Sequence, residues 1–305
     1  MKAVRIQAFG GSDQVRIEDL PMPEPGPGEA LVRVRAAGLN PVDWMIREQI
    51  YNPPGTERAP LTLGQDFAGV IEGFGPGAHG AFREGDAVFG EAWGSFAEYA
   101  CVPVRDLARK PAGLDFVTAA ALPMAGLTAW QAVIDTAKAA PGMRFLIHGA
   151  SGGVGSFAAQ FARWEDAEVL GTAGRHSFDF LRSIGVERAF DYREPFEAQV
   201  RDVDCVLDPV GGETQARSWS VLRRGGMLIN LVGDLDHAAA RRVGAHGIEF
   251  AMRYDVEDLE EIAGLVEGKV VKPHITRVLP LAHARQALDL NQEGGSHGKL
   301  VLTVG

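Results

Sequence analysis

The feature that most constrains this chain is an eight-residue string, GASGGVGS, which begins at Gly149. It follows the short apolar run RFLIH and opens the helical pattern SFAAQFAR. Gly149, Gly152 and Gly155 recur at intervals of three, and Gly153 with Gly155 adds a close G-x-G pair. A glycine-rich turn between a buried strand and a helix suits a diphosphate. Absent side chains let the backbone approach, and the helix's first N–H groups and its dipole hold the anion. Strand before and helix after are the context this fingerprint requires. The competing reading is a tight packing turn. The further strand AEVLGTA, at the distance a nucleotide-binding unit needs, favours the nucleotide.

The rest of the chain supplies a frame for such a unit. Before Pro41 the pattern is β: MKAVRIQAF, VRIEDL and ALVRVRAAGL are separated by the turn-rich PMPEPGPGE, and FAGVIEGFG, DAVFG and SFAEYACVP follow. PVDWMIREQI reads as a short helix with Pro41 near its start. From Leu114 the character changes. An alanine-rich helical stretch leads into strands and helices in alternation, through VDCVLDPV, GGMLINLVG and GIEFAM, which implies a parallel sheet covered by helices. After the helical DVEDLEEIAGLVEGK, the chain ends in a strand, HGKLVLTV, placed to return to the first domain.

Composition narrows the function. The 305 residues suffice for two domains, and 46% hydrophobic with 23% charged residues is ordinary globular usage. A formal charge of -10 repels phosphate backbones and anionic lipid, so neither nucleic acid nor membrane is an expected partner. Two cysteines, Cys101 and Cys205, exclude a disulfide scaffold and a four-cysteine zinc site. The start, MKAVRIQAFGG, lacks the apolar core of a signal peptide, and cytoplasmic residence is expected.

Cofactor choice turns on the end of the second strand. A site for NAD usually carries Asp or Glu about 20 residues beyond the glycines, on the ribose 2′-OH. Here AEVLGTA runs into Gly174, Arg175 and His176, with no acid at that strand end. The planar cation of Arg175 suits a 2′-phosphate. Tyr192, in AFDYRE, is a further hydroxyl donor. NADPH is the expected cofactor; a solvated Arg175 with no ligand role is the alternative.

The strings GLNPVDWMIR, LGQDFAGVIEGFG, REGDAVFG, GSFAEYACVP, AALPMAGLTAWQAV, HGASGGVGSFAAQFAR, FDYRE, LDPVGG, GGMLINLVG and HGKLVL occur in an order that resembles the medium-chain dehydrogenase/reductase superfamily, in its zinc-free quinone oxidoreductase branch. The resemblance covers nearly the whole chain. It implies an α/β protein in which a GroES-like β-barrel domain, 1–115 and 271–305, is interrupted by a Rossmann domain, 116–270, with the active site in the cleft between them. It also implies an NADPH-dependent reductase of quinones or α,β-unsaturated carbonyl compounds, assembled as a homodimer. GIEFAM would then be an edge strand open to a second copy.

By the same resemblance, Ser151, Gly152, Gly153 and Val154 contact the diphosphate beside Gly155. Gly174, Arg175, His176 and Tyr192 surround the adenosine phosphate. Leu231 and Val232 flank the nicotinamide end, Asn40 and Thr128 face it, and Lys299 is a further cofactor candidate. Zinc-dependent members carry Cys in the first loop and His-Glu in the second; here those segments read Asn40-Pro41-Val42-Asp43 and Gly64-Gln65-Asp66. Asp43 and Asp66 alone make a poor zinc site, so no metal is expected.

Without a Lewis acid, the acceptor must be conjugated, so that charge spreads onto its oxygen as hydride adds. Asn40 either gives an amide N–H to that oxygen or caps a loop. Tyr51 is either a proton donor or a packing residue. Trp44 and Trp93 either shape a pocket for a flat ring or pack at the core rim. His148, Cys101 and Cys205 read as structural. An enoyl-thioester reductase is the near alternative, although Arg47 and Arg58 stand isolated with no basic cluster for a carrier's phosphates. A non-catalytic NADPH-binding sensor is the other.

Overall fold

The computed structural model describes residues 1–78, 80–295 and 297–305. It contains two compact units: Met1–Ala125 with Tyr254–Lys269 and Ile275–Gly305, and Gly126–Arg253 with Val270–His274.

The first unit opens with β1 (Lys2–Ile6), β2 (Val15–Asp19) and β3 (Glu29–Gly38), followed by α1 (Pro41–Arg47). Then come β4 (Leu61–Thr62), β5 (Asp66–Phe74), β6 (Ala87–Glu91), β7 (Tyr99–Pro103), β8 (Ala108–Arg109) and α2 (Phe116–Ala120). The period-two reading of ALVRVRAAG holds: Ala30, Val32 and Val34 face the core while Arg33 and Arg35 face out. The alanine-rich helix stops at Ala120 and restarts as α3 (Pro123–Trp130), because Pro123 supplies no N–H to continue the ladder.

The second unit continues through β9 (Arg144–Ile147), α4 (Gly153–Trp164), β10 (Glu168–Ala173), α5 (Phe178–Ser183), β11 (Arg188–Asp191), β12 (Val203–Asp208) and α6 (Gly212–Ser218). It ends with β13 (Leu222–Asn230), α7 (His237–Val243) and β14 (His246–Glu249). Its sheet runs β11-β10-β9-β12-β13-β14, every neighbouring pair parallel. Counted from β9, that is the doubly wound order 3-2-1-4-5-6, whose direction reverses between β9 and β12. Phe145, Leu146 and Ile147 are fully buried, as a strand covered on both faces requires. Each contributes about 1.5–3 kcal/mol of burial. β14 lies at the edge of this sheet.

The chain then returns to the first unit with α8 (Val256–Glu267), β15 (Ile275–Pro280), α9 (Ala284–Glu293) and β16 (Lys299–Thr303). There the larger sheet runs β15-β16-β3-β5-β6-β8, with β7 also on β3. The division differs from the expected 116–270 domain. Residues 116–125 and 254–269 belong to the first unit. Two contacts explain it. The Ala120 carbonyl sits so close over Gly38 that a Cβ there would lie 2.2 Å from it. Glu267 of α8 accepts the Gly113 N–H at 2.8 Å. Among the described residues no helix is long and apolar enough to cross a membrane.

Candidate functional site

In the second unit, the turn from β9 to α4 lies where the strand order reverses, which is where open α/β sheets bind ligands. Gly149 adopts φ +55° and stands 3.6 Å, by its missing Cβ, from Pro209 of the loop after β12. Gly155 is packed so closely that a Cβ would lie 2.4 Å from the Gly149 carbonyl and 2.7 Å from Ala150 Cα. Gly152 is different. It caps α4 with ordinary extended angles and no side-chain cap, and its missing Cβ meets only the Gly149 oxygen, at 3.3 Å. A Cβ there would be tight against that backbone oxygen, though far less so than at Gly155. Ser151, Gly152, Gly153 and Val154 are all part-exposed around the first turn of α4.

Across the reversal, Asp208 closes the β12 loop by accepting N–H groups from Val210 and Gly211, each at 2.9 Å. Asn230 and Gln215 fix the loop carrying Leu231 and Val232: Asn230 donates to the Gly233 carbonyl at 2.9 Å, and Gln215 to the Asp234 carbonyl at 3.1 Å. Thr128 is half-buried on α3.

Arg175 follows β10 beyond Gly174 and is 69% exposed, but it is not surrounded by neutral groups. Its Nε lies 3.3 Å from Asp191, and its Nη2 donates to Glu194. The expectation that carboxylates are absent here needs correction. β10 itself ends without an acid, yet parallel register sets Asp191 of β11 beside Ala173, the last residue of β10. His176 lies in the same turn, against Gly174, and Tyr192 is an exposed phenol to which Arg193 donates at 3.3 Å.

His148, just before the glycine turn, is fully buried. Ser218 Oγ donates to the Thr214 carbonyl, so His148 Nε2–H donates to Ser218 (2.7 Å) and Nδ1 accepts from Thr172 (2.9 Å). Burial, with Arg217 nearby, pushes the imidazole down to about 3 from 6.5. The unfolded chain therefore takes up a proton that the folded chain refuses, and stability falls as pH drops from about 6.5 towards about 3. Denaturant titrations across that window should show this slope, and His148→Gln should flatten it.

In the first unit, the other candidates converge on a buried ion pair. The backbone of α1 begins at Asn40, whose N–H is accepted by Asp43 at 2.8 Å. The Asn40 side chain turns elsewhere. Its Nδ2 donates to Asp66 Oδ2 at 2.9 Å, and its Oδ1 accepts from Lys299. Lys299 also donates to the Leu39 carbonyl (2.7 Å) and to Asp66 Oδ2 (3.1 Å). All three ammonium protons are thus matched. Lys299 is 3% exposed and Asp66 is fully buried. The meeting follows from the return of β16, which pairs with β3 so that Val301 opposes Gly38 and the Leu39 N–H reaches Leu300. The remaining Asp66 oxygen accepts the Met124 N–H at 3.1 Å. Burial pushes the neighbouring Asp43 carboxyl up to about 7, against the Asn40 N–H and with Asp66 adding to the rise.

Zinc does not fit this arrangement. The loop positions that the resemblance matches to Cys and His-Glu of zinc-dependent members hold Asn40, Gln65 and Asp66, and the Lys299 ammonium already takes one side-chain oxygen each of Asn40 and Asp66. Among the described residues, no group of three His, Cys, Asp or Glu side chains is placed to hold a metal ion.

The remaining candidates scatter. Tyr51 is 51% exposed on the turn after α1, and Trp44 packs at the rim of the core. Cys205 is fully buried, and burial raises its thiol well above the usual range. Arg47 is not an isolated loop cation. It lies buried at the end of α1, where it donates to Gln292 and Glu48 and to the Gly10 carbonyl.

Two family models match the chain: "Alcohol dehydrogenase GroES-like domain" over residues 26–112 and "Zinc-binding dehydrogenase" over residues 184–302. The quinone oxidoreductase of Rattus norvegicus is 31% identical, in an alignment covering 99% of this chain and 97% of that protein. A solved NAD-dependent alcohol dehydrogenase superposes with a TM-score of 0.92 at 30% identity, covering all of both chains. Escherichia coli quinone oxidoreductase complexed with NADPH superposes with a TM-score of 0.92 at 25% identity, covering 99% of this chain and 100% of that one. With a GroES-like first unit, a doubly wound second unit and full-length likeness to quinone oxidoreductases, the chain belongs to the medium-chain dehydrogenase/reductase superfamily, in its quinone oxidoreductase-like branch.

Proposed function

We propose that the chain is a cytoplasmic, zinc-independent oxidoreductase that transfers hydride from NADPH to a quinone or an α,β-unsaturated carbonyl compound. One observation carries this reading: a bare, part-exposed glycine turn opens α4 at the switch point of a doubly wound sheet, with Gly152 much less constrained by packing than Gly155. Such a turn presents helix N–H groups to a diphosphate. Bound there, the reduced nicotinamide supplies the hydride. Ser151, Gly152, Gly153 and Val154 would hold the diphosphate, and Thr128, Leu231 and Val232 the nicotinamide end. Gly174, Arg175, His176 and Tyr192 would hold the 2′-phosphate. The E. coli relative, solved with NADPH, supports the choice of cofactor. Zinc independence is supported by the Lys299 ammonium filling the place between Asn40 and Asp66. Asn40, locked on both sides, keeps its second N–H for the developing oxyanion. A homodimer paired along β14 is the proposed assembly.

Asp191 and Glu194 favour a second reading. Their carboxylates sit where an NAD site places its acid, and Arg175 already satisfies them. The two readings separate cleanly in an assay of NADPH and NADH oxidation with 1,4-benzoquinone, 9,10-phenanthrenequinone and an alkenal. Under the first, NADPH is preferred, and Arg175→Ala raises its Michaelis constant about tenfold or more, by the 1.5–3 kcal/mol of a charged hydrogen bond, with NADH little changed. Equal effects on both cofactors defeat the phosphate role of Arg175. Tight NADPH binding with no turnover on any acceptor defeats the enzyme.

A further inference from the structure

The turn that follows β11, Asp191-Tyr192-Arg193-Glu194, carries the carboxylates that Arg175 meets, and its backbone is fixed from both sides. The Tyr192 N–H continues the ladder to the Ala173 carbonyl of β10 at 3.4 Å, and the Glu194 N–H closes the turn on the Asp191 carbonyl at 2.9 Å. From the end of α6, Arg217 donates to the Tyr192 carbonyl at 3.3 Å and to the Glu194 carbonyl at 2.5 Å. Arg217 is itself held by Glu197 at 2.8 Å, with its guanidinium 4.5 Å from the centre of the Phe196 ring. The Glu194 backbone is therefore set beside the end of β10, and what can swing is its side chain.

The two carboxylates on Arg175 are not equivalent. Asp191 is 5% exposed, and its Oδ1 also accepts the Arg193 N–H at 3.0 Å, so it stays where the strand puts it. Glu194 is 48% exposed and reaches Arg175 Nη2 on a longer, flexible stem. Its hydrogen bond and its charge raise the Arg175 guanidinium above its usual range, with Asp191 adding less. Glu194 is thus the partner that matters more to Arg175 and also the one able to leave.

We propose that the Glu194 carboxylate is a built-in competitor for the 2′-phosphate: it holds Arg175 in the empty site, is displaced when NADPH binds, and leaves NADH unopposed. The inference rests on the reading of Arg175 as the phosphate's partner, and it names the residue that limits the preference for NADPH.

Charge supports it. Arg175 and Arg193 bring two cations to this turn, and Asp191 and Glu194 balance them. A phosphate monoester carries a charge of about −1.5 to −2 at neutral pH, so it meets a turn with no net attraction until Glu194 moves away. The displacement is easy, because an ion pair between exposed groups shifts an equilibrium by no more than about fivefold. It still weakens NADPH, since apparent affinity falls with the fraction of chains in which Arg175 is disengaged. NADH lacks the phosphate and binds with the Arg175–Glu194 pair intact.

Calorimetric titration of the full chain with each dinucleotide reads this directly, without turnover. Glu194→Gln keeps the side chain's length and removes its charge. It should bind NADPH about fivefold more tightly than wild type, and NADH within about twofold of wild type. Introduced into Arg175→Ala, the same change should shift NADPH affinity by less than about twofold, because nothing is left to compete for. Glu187→Gln removes an exposed charge just before the opposite end of β11 and should alter neither affinity.

NADPH affinity that is unchanged or weakened in Glu194→Gln overturns the proposal. A gain of equal size in the Arg175→Ala background does so as well, because Glu194 would then act by general repulsion. An equal gain in Glu187→Gln would assign the effect to net charge and has the same force. Loss of NADH affinity in Glu194→Gln also overturns it, since the carboxylate would then be holding the ribose hydroxyl. Failure of the reading beneath looks different. In that case the wild type binds neither dinucleotide, or Arg175→Ala weakens both equally, and both conclusions fall together.

Discussion

Replacing Lys299 with methionine should lower the stability of the chain by about 3–5 kcal/mol, the usual cost of removing one partner from a buried ion pair. The length and apolar stem of the side chain are kept, so the loss isolates the ammonium. Without it, the fully buried Asp66 keeps only the Asn40 amide and the Met124 N–H, while Asn40 Oδ1 and the Leu39 carbonyl lose their donor. Chemical denaturation followed by far-ultraviolet circular dichroism measures the change. Adding Asp66→Asn should restore part of the loss, because the uncompensated charge is then removed. A single variant that loses less than about 1 kcal/mol would mean the pair is no more than a surface contact.

Gly152→Asp should separate the fold of the second unit from its cofactor. The residue is the N-cap of α4, where aspartate is among the best caps, and the only obstacle to a Cβ is the Gly149 oxygen at 3.3 Å. The apo protein should therefore melt at the same temperature or slightly higher. Cofactor affinity should fall at least about a hundredfold, or about 2.7 kcal/mol, because a carboxylate then occupies the space and reverses the field meant for the diphosphate. Gly155→Ala should behave in the opposite way. Its Cβ would press against backbone at 2.4 Å, so the fold should weaken before binding is measured. Equal losses of stability in both variants would show that the turn is a packing device.

The architecture was legible because its signals are local. The glycine turn, the flanking apolar strand and the period-two strands all lie within single short windows, and each appears where its residue types require; the break at Pro123, read in sequence as part of one helical stretch, did not. What the sequence hid was register and long-range closure. Arg175 stood alone at the end of β10 until parallel pairing set Asp191 beside Ala173. Asn40 and Lys299, 259 positions apart, meet only because β16 returns against β3. Glu91 had no signal at all. A carboxyl in a strand pattern looks like a solvated residue, and only the folded chain shows that burial, with Asp66 nearby, holds it above the usual carboxylate range. Catalytic assignment suffers most from this, because it depends on which side chains meet rather than on which occur.

Calorimetric titration of the purified chain with NADPH and, separately, with NADH tests the central claim most directly. The account predicts saturable binding of the phosphorylated dinucleotide, tighter than that of NADH and lost in Gly152→Asp. Absence of heat and of any thermal stabilisation with either dinucleotide would contradict it.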